Sequence, residues 1–145
     1  MNYESLKLDN QLCFALYACA KEVTRIYKPL LDKFGITYTQ YITLLVLWEH
    51  DNITVKELGK KLHLDSGTLT PLLKKLENMK LLERLRDTHD ERNVYIKLTD
   101  KGVNMRDEAL EIPKKMFCST GISIEEASNL KDKLKNLLNN LDEKA

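Results

Sequence analysis

The stretch that decides the fold is TVKELGKKLHLDSGTLTPLLKKLENMK, residues 54–80. It opens with a capping box, Thr54-Val-Lys-Glu57, in which the threonine oxygen and the glutamate side chain each satisfy an N–H group of the first helical turn. A short helix follows, and Asp65 then starts a second helix with apolar residues at helical spacing. Two short helices joined by a turn of a few residues predict a helix-turn-helix. Pro71 lies inside the second helix, so we expect either a kink there or a later start with Thr70 as the cap.

Two strands separated by a polar loop follow this pair of helices. Residues 81–86 and 93–98 are the candidate strands, and the second alternates apolar and polar side chains. The loop between them, residues 87–92, is polar throughout. A helix-turn-helix followed by such a hairpin predicts a winged helix with a two-stranded wing in a mainly α-helical chain.

Longer helices are expected on both sides of this core. Apolar residues at helical spacing predict a first helix from about Leu8 to Leu31, and a capping box at Thr37–Gln40 opens an apolar second one. After the wing, Thr99 caps a long helix to about Met116, and a capping box at Ser123–Glu126 opens the last helix.

The first and last helices carry apolar stripes that the small core cannot fully cover. They pack on each other within one chain or interlock with a second copy, and we favour the second copy. A homodimer also suits duplex DNA, because two recognition helices can then enter successive major grooves about 34 Å apart.

Composition indicates one globular domain that acts inside the cell. The 145 residues are 43% hydrophobic and 31% charged, and the net charge is only +1, although residues 54–101 hold 11 Lys and Arg against 8 Asp and Glu. No signal peptide is apparent, and the longest apolar run is too short to cross a bilayer, so we expect a cytoplasmic protein without membrane association. The three cysteines match no zinc spacing and are not expected to form structural disulfides, so we expect no metal and no cofactor.

Several separated motifs together resemble the MarR family of repressors. The order of elements, Leu98-Thr-Asp-Lys-Gly102 after the wing and Asp90-Glu-Arg92 at its tip are similar to MarR proteins in general. Motifs similar to the organic-hydroperoxide-resistance branch are Leu8-Asp-Asn-Gln-Leu-Cys-Phe14, Tyr27-Lys-Pro-Leu-Leu-Asp32, Ile36-Thr-Tyr38, Leu47-Trp-Glu-His50 and Leu64-Asp-Ser-Gly-Thr-Leu-Thr-Pro-Leu72. The resemblance implies a single domain, 1–145, in which about 38–100 is the DNA-binding winged helix and 1–37 and 101–145 are dimerisation helices.

The same resemblance places the second helix of the motif in the major groove of pseudo-palindromic operator DNA. Short polar side chains at its start are suited to base edges, Gly67 permits close approach, and lysines further along are suited to phosphates. In the wing, Arg92 is expected in the minor groove with Asp90 orienting it, although this turn also fits an ordinary solvated loop. Asp65 and Ser66 can act as helix caps as well. Arg84 and Arg86 in the wing are expected at phosphates. The residues expected to contact DNA are Asp65, Ser66, Gly67, Thr68, Thr70, Lys74, Lys75, Arg84, Arg86, Asp90 and Arg92.

A cysteine switch is the second expectation. Cys13 lies near the start of the first helix, where the helix dipole favours the thiolate and Asp9 opposes it; a cysteine on such a face is otherwise an inert hydrophobe. By resemblance, Cys13 is the peroxide-reactive cysteine, and Tyr27 and Tyr38 hydrogen-bond its sulfur across the dimer interface. Cys118 lies where a two-cysteine subgroup has its resolving cysteine, so the oxidised state is either a Cys13–Cys118 disulfide between subunits or a mixed disulfide with a small thiol.

Three other functions fit parts of the sequence. A MarR-type repressor released by a small phenolic ligand has the same fold. A cysteine-dependent peroxidase would use Cys13, but the sequence lacks a thioredoxin-like βαβ pattern and an activating arginine, so we expect no enzyme. A winged helix used only for protein contacts would show no DNA affinity. We therefore expect a repressor that releases its operator when an organic hydroperoxide or related oxidant oxidises Cys13.

Overall fold

The computed structural model describes residues 1–143, which fall into two compact units, residues 1–110 and the residues from Glu111 onward. The first unit opens with two single 3-10 turns, Glu4–Leu6 and Leu8–Asn10. Its further elements in chain order are α1 (Leu12–Asp32), α2 (Tyr38–Glu49), β1 (Ile53–Thr54), α3 (Val55–Leu62), α4 (Ser66–Asn78), β2 (Leu82–Arg86), β3 (Val94–Leu98) and α5 (Asp100–Glu108). The second unit consists of α6 (Glu111–Thr120) and α7 (Ile124–Asp142).

Local capping signals fix most helix starts. At Thr37 and at Thr54 both bonds of the capping box form: Thr37 Oγ1 accepts from the N–H of Gln40, and the Gln40 side chain accepts from the N–H of Thr37 at 2.9 Å. Asp65 caps α4, which therefore begins at Ser66 and runs through Pro71. The alternative start at Thr70 is wrong, because the carboxylate of Asp65 already satisfies the first turn.

The helix-turn-helix and the wing form around one apolar core. Residues from α2, α3, α4 and both wing strands are at most 1% exposed, among them Leu44, Leu58, Leu73, Leu76 and Ile96. The wing is an antiparallel hairpin in which Arg84 lies opposite Ile96 and Arg86 opposite Val94. The winged helix is thus confirmed.

The sheet has three strands rather than the two predicted. Its order is β1-β3-β2, and β1 pairs with β3 through Ile53 opposite Ile96. Two side-chain contacts join α2 and the loop after it to later elements: Trp48 Nε1 on α2 donates to the carbonyl of Gly102 on α5 at 2.9 Å, and Asp51 Oδ1 in the loop accepts from the N–H of Leu98 on β3 at 2.9 Å.

Two helix boundaries differ from the sequence prediction. The first helix begins at Leu12 rather than near Leu8, because Gln11 is extended and residues 4–10 form the 3-10 turns. The predicted long helix from Thr99 to about Met116 is two helices, since α5 ends at Glu108 and α6 begins at Glu111.

Helices α6 and α7 form the second unit. Pro113 is the third residue of α6, a first-turn position where its missing N–H costs no helical hydrogen bond. Ser123 caps α7 by accepting from the N–H of Glu126 at 3.1 Å. Within the described range, α7 has no buried residue and presents an exposed apolar stripe of Ile124, Leu130, Leu134, Leu138 and Leu141.

Two features of residues 1–143 bear on other classes of function. None of the helices described there has the length and hydrophobicity to cross a membrane. Among those same residues, no three His, Cys, Asp or Glu side chains are grouped as metal ligands would be.

Candidate nucleic-acid interface and redox site

The start of α4 presents a row of short polar side chains to solvent. Asp65 Oδ1 accepts from the N–H of Thr68 at 2.7 Å, and hydrogen bonds from Thr68 lower the pKa of the Asp65 carboxyl. Thr70 Oγ1 donates to the carbonyl of Ser66 at 2.8 Å. Asp65 therefore acts as a cap in the free protein, and Ser66, Gly67 and Thr68 remain exposed beside it.

The remainder of α4 is amphipathic. Leu69, Leu72, Leu73 and Leu76 are buried on one face, whereas Lys74 and Lys75 are exposed. The buried leucines fix the rotation of the helix, so its polar residues point away from the core. This geometry leaves both lysines accessible to a nucleic-acid backbone.

At the wing tip, Arg92 and Asp90 form a two-point ion pair. Arg92 Nε donates to Asp90 Oδ1 at 3.0 Å and Arg92 Nη2 to Asp90 Oδ2 at 3.1 Å. The pair lowers the pKa of Asp90 and raises the pKa of Arg92. The Arg92 side chain is 90% exposed, so it is oriented by Asp90 while projecting into solvent.

The two other wing arginines have partners within the protein. Arg84 Nη2 lies 3.1 Å from Glu77 Oε1 on α4, and the Arg84 N–H donates to Glu77 Oε2 at 3.2 Å. Arg84 Nε is buried without a hydrogen-bond partner. Arg86 Nη1 donates to the carbonyl of Glu91 at 2.9 Å. Sequence analysis expected both arginines at phosphates; the structure gives Arg84 a role in joining β2 to α4, and phosphate contact by either remains a prediction.

A cavity of about 310 Å³ opens between the start of α3, α4 and the wing. Its cationic lining consists of Lys56, Arg84, Arg86 and Arg92, and Thr54 and Thr70 add hydroxyl groups. Lys56 and Thr54 were not among the residues predicted for this surface. The capping box at Thr54 was the available signal, because it places both residues at a helix start beside the wing.

Cys13 is the second residue of α1 and is exposed. The cap residue of α1, Gln11, makes no side-chain capping bond. Its amide donates instead to the carbonyls of Ser5 and Lys7, at 2.7 and 2.8 Å. The first N–H groups of α1 are therefore left without a side-chain cap beside the Cys13 thiol.

Three tyrosines cluster where α1 meets α2. The ring centroids of Tyr27 and Tyr38 are 4.8 Å apart, and Tyr41 lies 5.7 Å from Tyr27 and 6.4 Å from Tyr38. Burial raises the pKa of Tyr27 and Tyr38, and it raises the pKa of Tyr41 to about 12. All three hydroxyls are thus protonated donors at neutral pH. Tyr41 was missed, although its place three residues after Tyr38 on one helix was a usable signal.

Cys13 and Tyr27 do not meet within one chain. Both lie on the continuous helix α1, fourteen residues apart, which corresponds to about 21 Å along the axis. A tyrosine side chain is far shorter than this distance. Cys118 lies on α6 of the second unit and is exposed, as is Cys19 on α1, and all three cysteines are free.

Comparison with known proteins gives a consistent family. A family model for SarA/Rot transcriptional regulators matches residues 25–109. The chain is 49% identical over 142 residues to the organic hydroperoxide resistance transcriptional regulator of Bacillus subtilis strain 168, covering 98% of this chain and 97% of that protein. It is 42% identical to the transcriptional regulator SarZ of Staphylococcus haemolyticus, covering 92% of this chain and 90% of that protein.

Solved structures of AbfR from Staphylococcus epidermidis are also similar. Reduced AbfR bound to DNA has a TM-score of 0.79 at 36% identity, covering 97% of this chain and 99% of that chain. Disulfide-formed AbfR has a TM-score of 0.66 at 36% identity, covering 93% and 95%. The chain therefore belongs to the MarR-type family of transcriptional regulators, in the branch of the organic hydroperoxide resistance regulators.

Proposed function

We infer that the chain is a redox-sensing, DNA-binding transcriptional repressor, which acts as a homodimer on pseudo-palindromic operator DNA in the cytoplasm. One observation carries this function: the same compact unit holds a complete winged helix with an exposed polar recognition face and an uncovered cysteine at the start of α1. Redox sensing and DNA binding also agree with the relatives, among which AbfR has been solved reduced on DNA and in a disulfide form.

DNA binding places α4 in the major groove and Arg92 in the minor groove. The polar residues Ser66, Gly67 and Thr68 face outward at the start of α4 and are suited to base edges. Lys74 and Lys75 are exposed further along the same helix and are suited to phosphates. Arg92, held by Asp90, is suited to the negative potential of a narrow minor groove.

A second copy completes the redox site. Phe14 and Tyr17, near the start of α1, are 39% and 62% exposed, so this end of the helix is uncovered in a single chain. If two α1 helices pack antiparallel about a two-fold axis near Ala20, Cys13 of one chain lies opposite Tyr27 of the partner subunit. This pairing provides the tyrosine hydroxyls that one chain cannot bring to its own Cys13.

Oxidation proceeds at the Cys13 sulfur. The thiolate attacks the terminal oxygen of a hydroperoxide, so that an S–O bond forms and the O–O bond breaks; the OH group stays on sulfur, and the alkoxide leaves as the alcohol after taking a proton from water. The resulting sulfenic acid condenses with the thiol of Cys118 from the partner subunit, which forms a disulfide and releases water, or with a small cellular thiol. The relative AbfR has been solved both reduced on DNA and in a disulfide form, which supports a disulfide as an oxidised end state.

DNA binding before and after oxidation tests this function. Gel shifts use a duplex selected from a randomised pool by the reduced protein, which is then treated with cumene hydroperoxide or with salicylate. We expect release by the peroxide and not by salicylate, no release from Cys13→Ser, and wild-type release from the control Cys19→Ser. Peroxide release from Cys13→Ser would contradict the assignment, and release by salicylate alone would favour a ligand-responsive repressor.

The end state of oxidation is tested on non-reducing gels. We expect a covalent dimer after peroxide treatment that disappears in both Cys13→Ser and Cys118→Ser. A Cys118→Ser protein that still forms the covalent dimer would exclude the intersubunit disulfide. The relatives are transcriptional regulators, and we expect oxidation to consume about one peroxide per thiol, whereas sustained turnover with a thiol reductant would indicate a peroxidase.

A further inference from the structure

The peptide unit between Glu91 and Arg92 is held at both of its polar atoms. Its carbonyl oxygen accepts a hydrogen bond from Arg86 Nη1 at 2.9 Å, and its N–H donates to Asp90 Oδ1 at 3.1 Å. A peptide unit is planar, so fixing both atoms fixes the plane of this peptide and with it the position of the Arg92 Cα, from which the side chain leaves the loop. The orientation of Arg92 is therefore set by two residues rather than by Asp90 alone.

Arg86 connects this peptide to the rigid part of the wing. It is the last residue of β2 and lies opposite Val94 in the antiparallel hairpin. Beyond it, the N–H of Asp87 donates to the carbonyl of Asn93 at 2.9 Å and closes the base of the loop. Arg92 itself is 90% exposed and has no packing that could orient it, so its direction depends on hydrogen bonds.

We propose that Arg86 is a positioning residue for DNA recognition, which fixes the Glu91–Arg92 peptide and thereby presents Arg92 to the minor groove. Its contribution to affinity passes through Arg92 and not through a phosphate of its own. This inference rests on the proposed role of Arg92 as a DNA contact, and it differs from the sequence expectation that Arg86 is an independent phosphate contact.

A double-mutant cycle separates the two roles, because independent contacts add and coupled ones do not. The reduced protein is titrated with the duplex selected from a randomised pool, as wild type, Arg86→Ala, Arg92→Ala and the double variant. We expect Arg86→Ala to weaken binding by about tenfold in the wild-type background and by less than about twofold in the Arg92→Ala background. The matched control Lys74→Ala should weaken binding by the same factor in both backgrounds.

The salt dependence of binding gives a second readout of the same variants. In the Arg92→Ala background, loss of a positioning residue leaves the slope of log K against log salt unchanged, whereas loss of an independent phosphate contact reduces it by about one per contact. A slope that Arg86→Ala reduces in the Arg92→Ala background, or an equal effect of Arg86→Ala on affinity in both backgrounds, would overturn the proposal.

Backbone dynamics of the free protein test the positioning without DNA. In ¹⁵N relaxation, the order parameter of the Arg92 amide should fall from about 0.85 in the wild type to below about 0.6 in Arg86→Ala. An amide that stays rigid would refute the positioning role. A wild-type protein that bound no duplex would instead remove the proposed function, and the relaxation result would still decide whether Arg86 orders the loop.

Discussion

Gly67 is a single residue at which stability and DNA binding should separate. A Cβ added there would meet only Asp65 Oδ1, at an ordinary 3.5 Å, so alanine fits the free protein. We expect Gly67→Ala to raise the free energy of unfolding by about 0.5–1 kcal/mol, because alanine is the better helix former. The same methyl group should weaken DNA binding, since it occupies the face where the α4 backbone is expected to approach the bases.

Urea unfolding and gel shifts measure the two effects of Gly67→Ala. Asn104→Ala, on an exposed position of α5, is the control that changes helix propensity without touching the predicted interface. Unchanged affinity of Gly67→Ala for the selected duplex would argue against close approach at this position.

Lys80 stores backbone strain just after α4. Its φ is 62°, in the left-handed region, and the N–H of Leu81 donates to the carbonyl of Leu76 across the helix end. Glycine adopts this conformation without the Cβ penalty, and alanine retains it. We expect Lys80→Gly to be more stable than Lys80→Ala by about 1 kcal/mol in urea unfolding at equal protein concentration; equal stability of the two variants would mean that the turn relaxes.

At the scale of residues, the sequence predicted contacts between residues within one helical turn and missed contacts between different elements. The caps at Thr37, Thr54 and Asp65 were predictable because each depends on residues within one helical turn. Arg84 was expected at a phosphate because nothing in the sequence records its pairing with Glu77, which lies on a different element. The prediction that Cys13 is the reactive cysteine came from family resemblance, because no contact within residues 1–143 of one chain distinguishes Cys13 from the other cysteines.

At the scale of elements, the Arg84–Glu77 ion pair joins β2 to α4 and should make the stability of the fold depend on pH. The hydrogen bond from Arg84 lowers the pKa of Glu77 below its ordinary 4.5. A carboxyl whose pKa is lower in the folded state stabilises the fold at neutral pH, and that contribution is lost as the pH falls from about 4.5 through the folded-state pKa. We expect Glu77→Gln to lose stability less steeply than the wild type in this range.

Urea unfolding across the acid range checks the Glu77 prediction. Arg84→Gln removes the partner instead of the carboxyl and should give the same shallower pH dependence. A wild-type slope in both variants would show that the pair does not contribute to acid sensitivity.

The elements predicted wrongly from the sequence have no local signal of their own. The strand β1 has two residues, too few for any alternation, and exists because Ile53 pairs with Ile96. The break between α5 and α6 falls at Ala109 and Leu110, two good helix formers that give no local stop signal. By contrast, α2, α3 and α4 were predicted closely because strong caps coincide there with clear apolar periodicity.

At the scale of the molecule, the near-neutral net charge implies that affinity for DNA must come from a few side chains at defined positions. The net charge is +1, so long-range attraction to DNA is weak. We therefore expect binding to depend on the cations of α4 and the wing, which a second copy would double. Two recognition helices on one duplex multiply affinity without any new contact, because the second binds at high effective concentration.

We expect one substitution in the exposed apolar stripe of α7 to break the dimer. Leu134 is 39% exposed in the single chain and lies in the middle of the stripe, so a second copy that covers it would bury any charge placed there. We expect Leu134→Glu to be monomeric in light scattering, to keep its helical circular dichroism, and to bind the selected duplex at least about 100-fold more weakly. Asn136→Glu adds the same charge about 200° further round the helix and should remain a dimer with wild-type affinity. A Leu134→Glu protein that stayed dimeric would place the partner subunit on another surface, and a monomer with undiminished affinity would show that one recognition helix is sufficient.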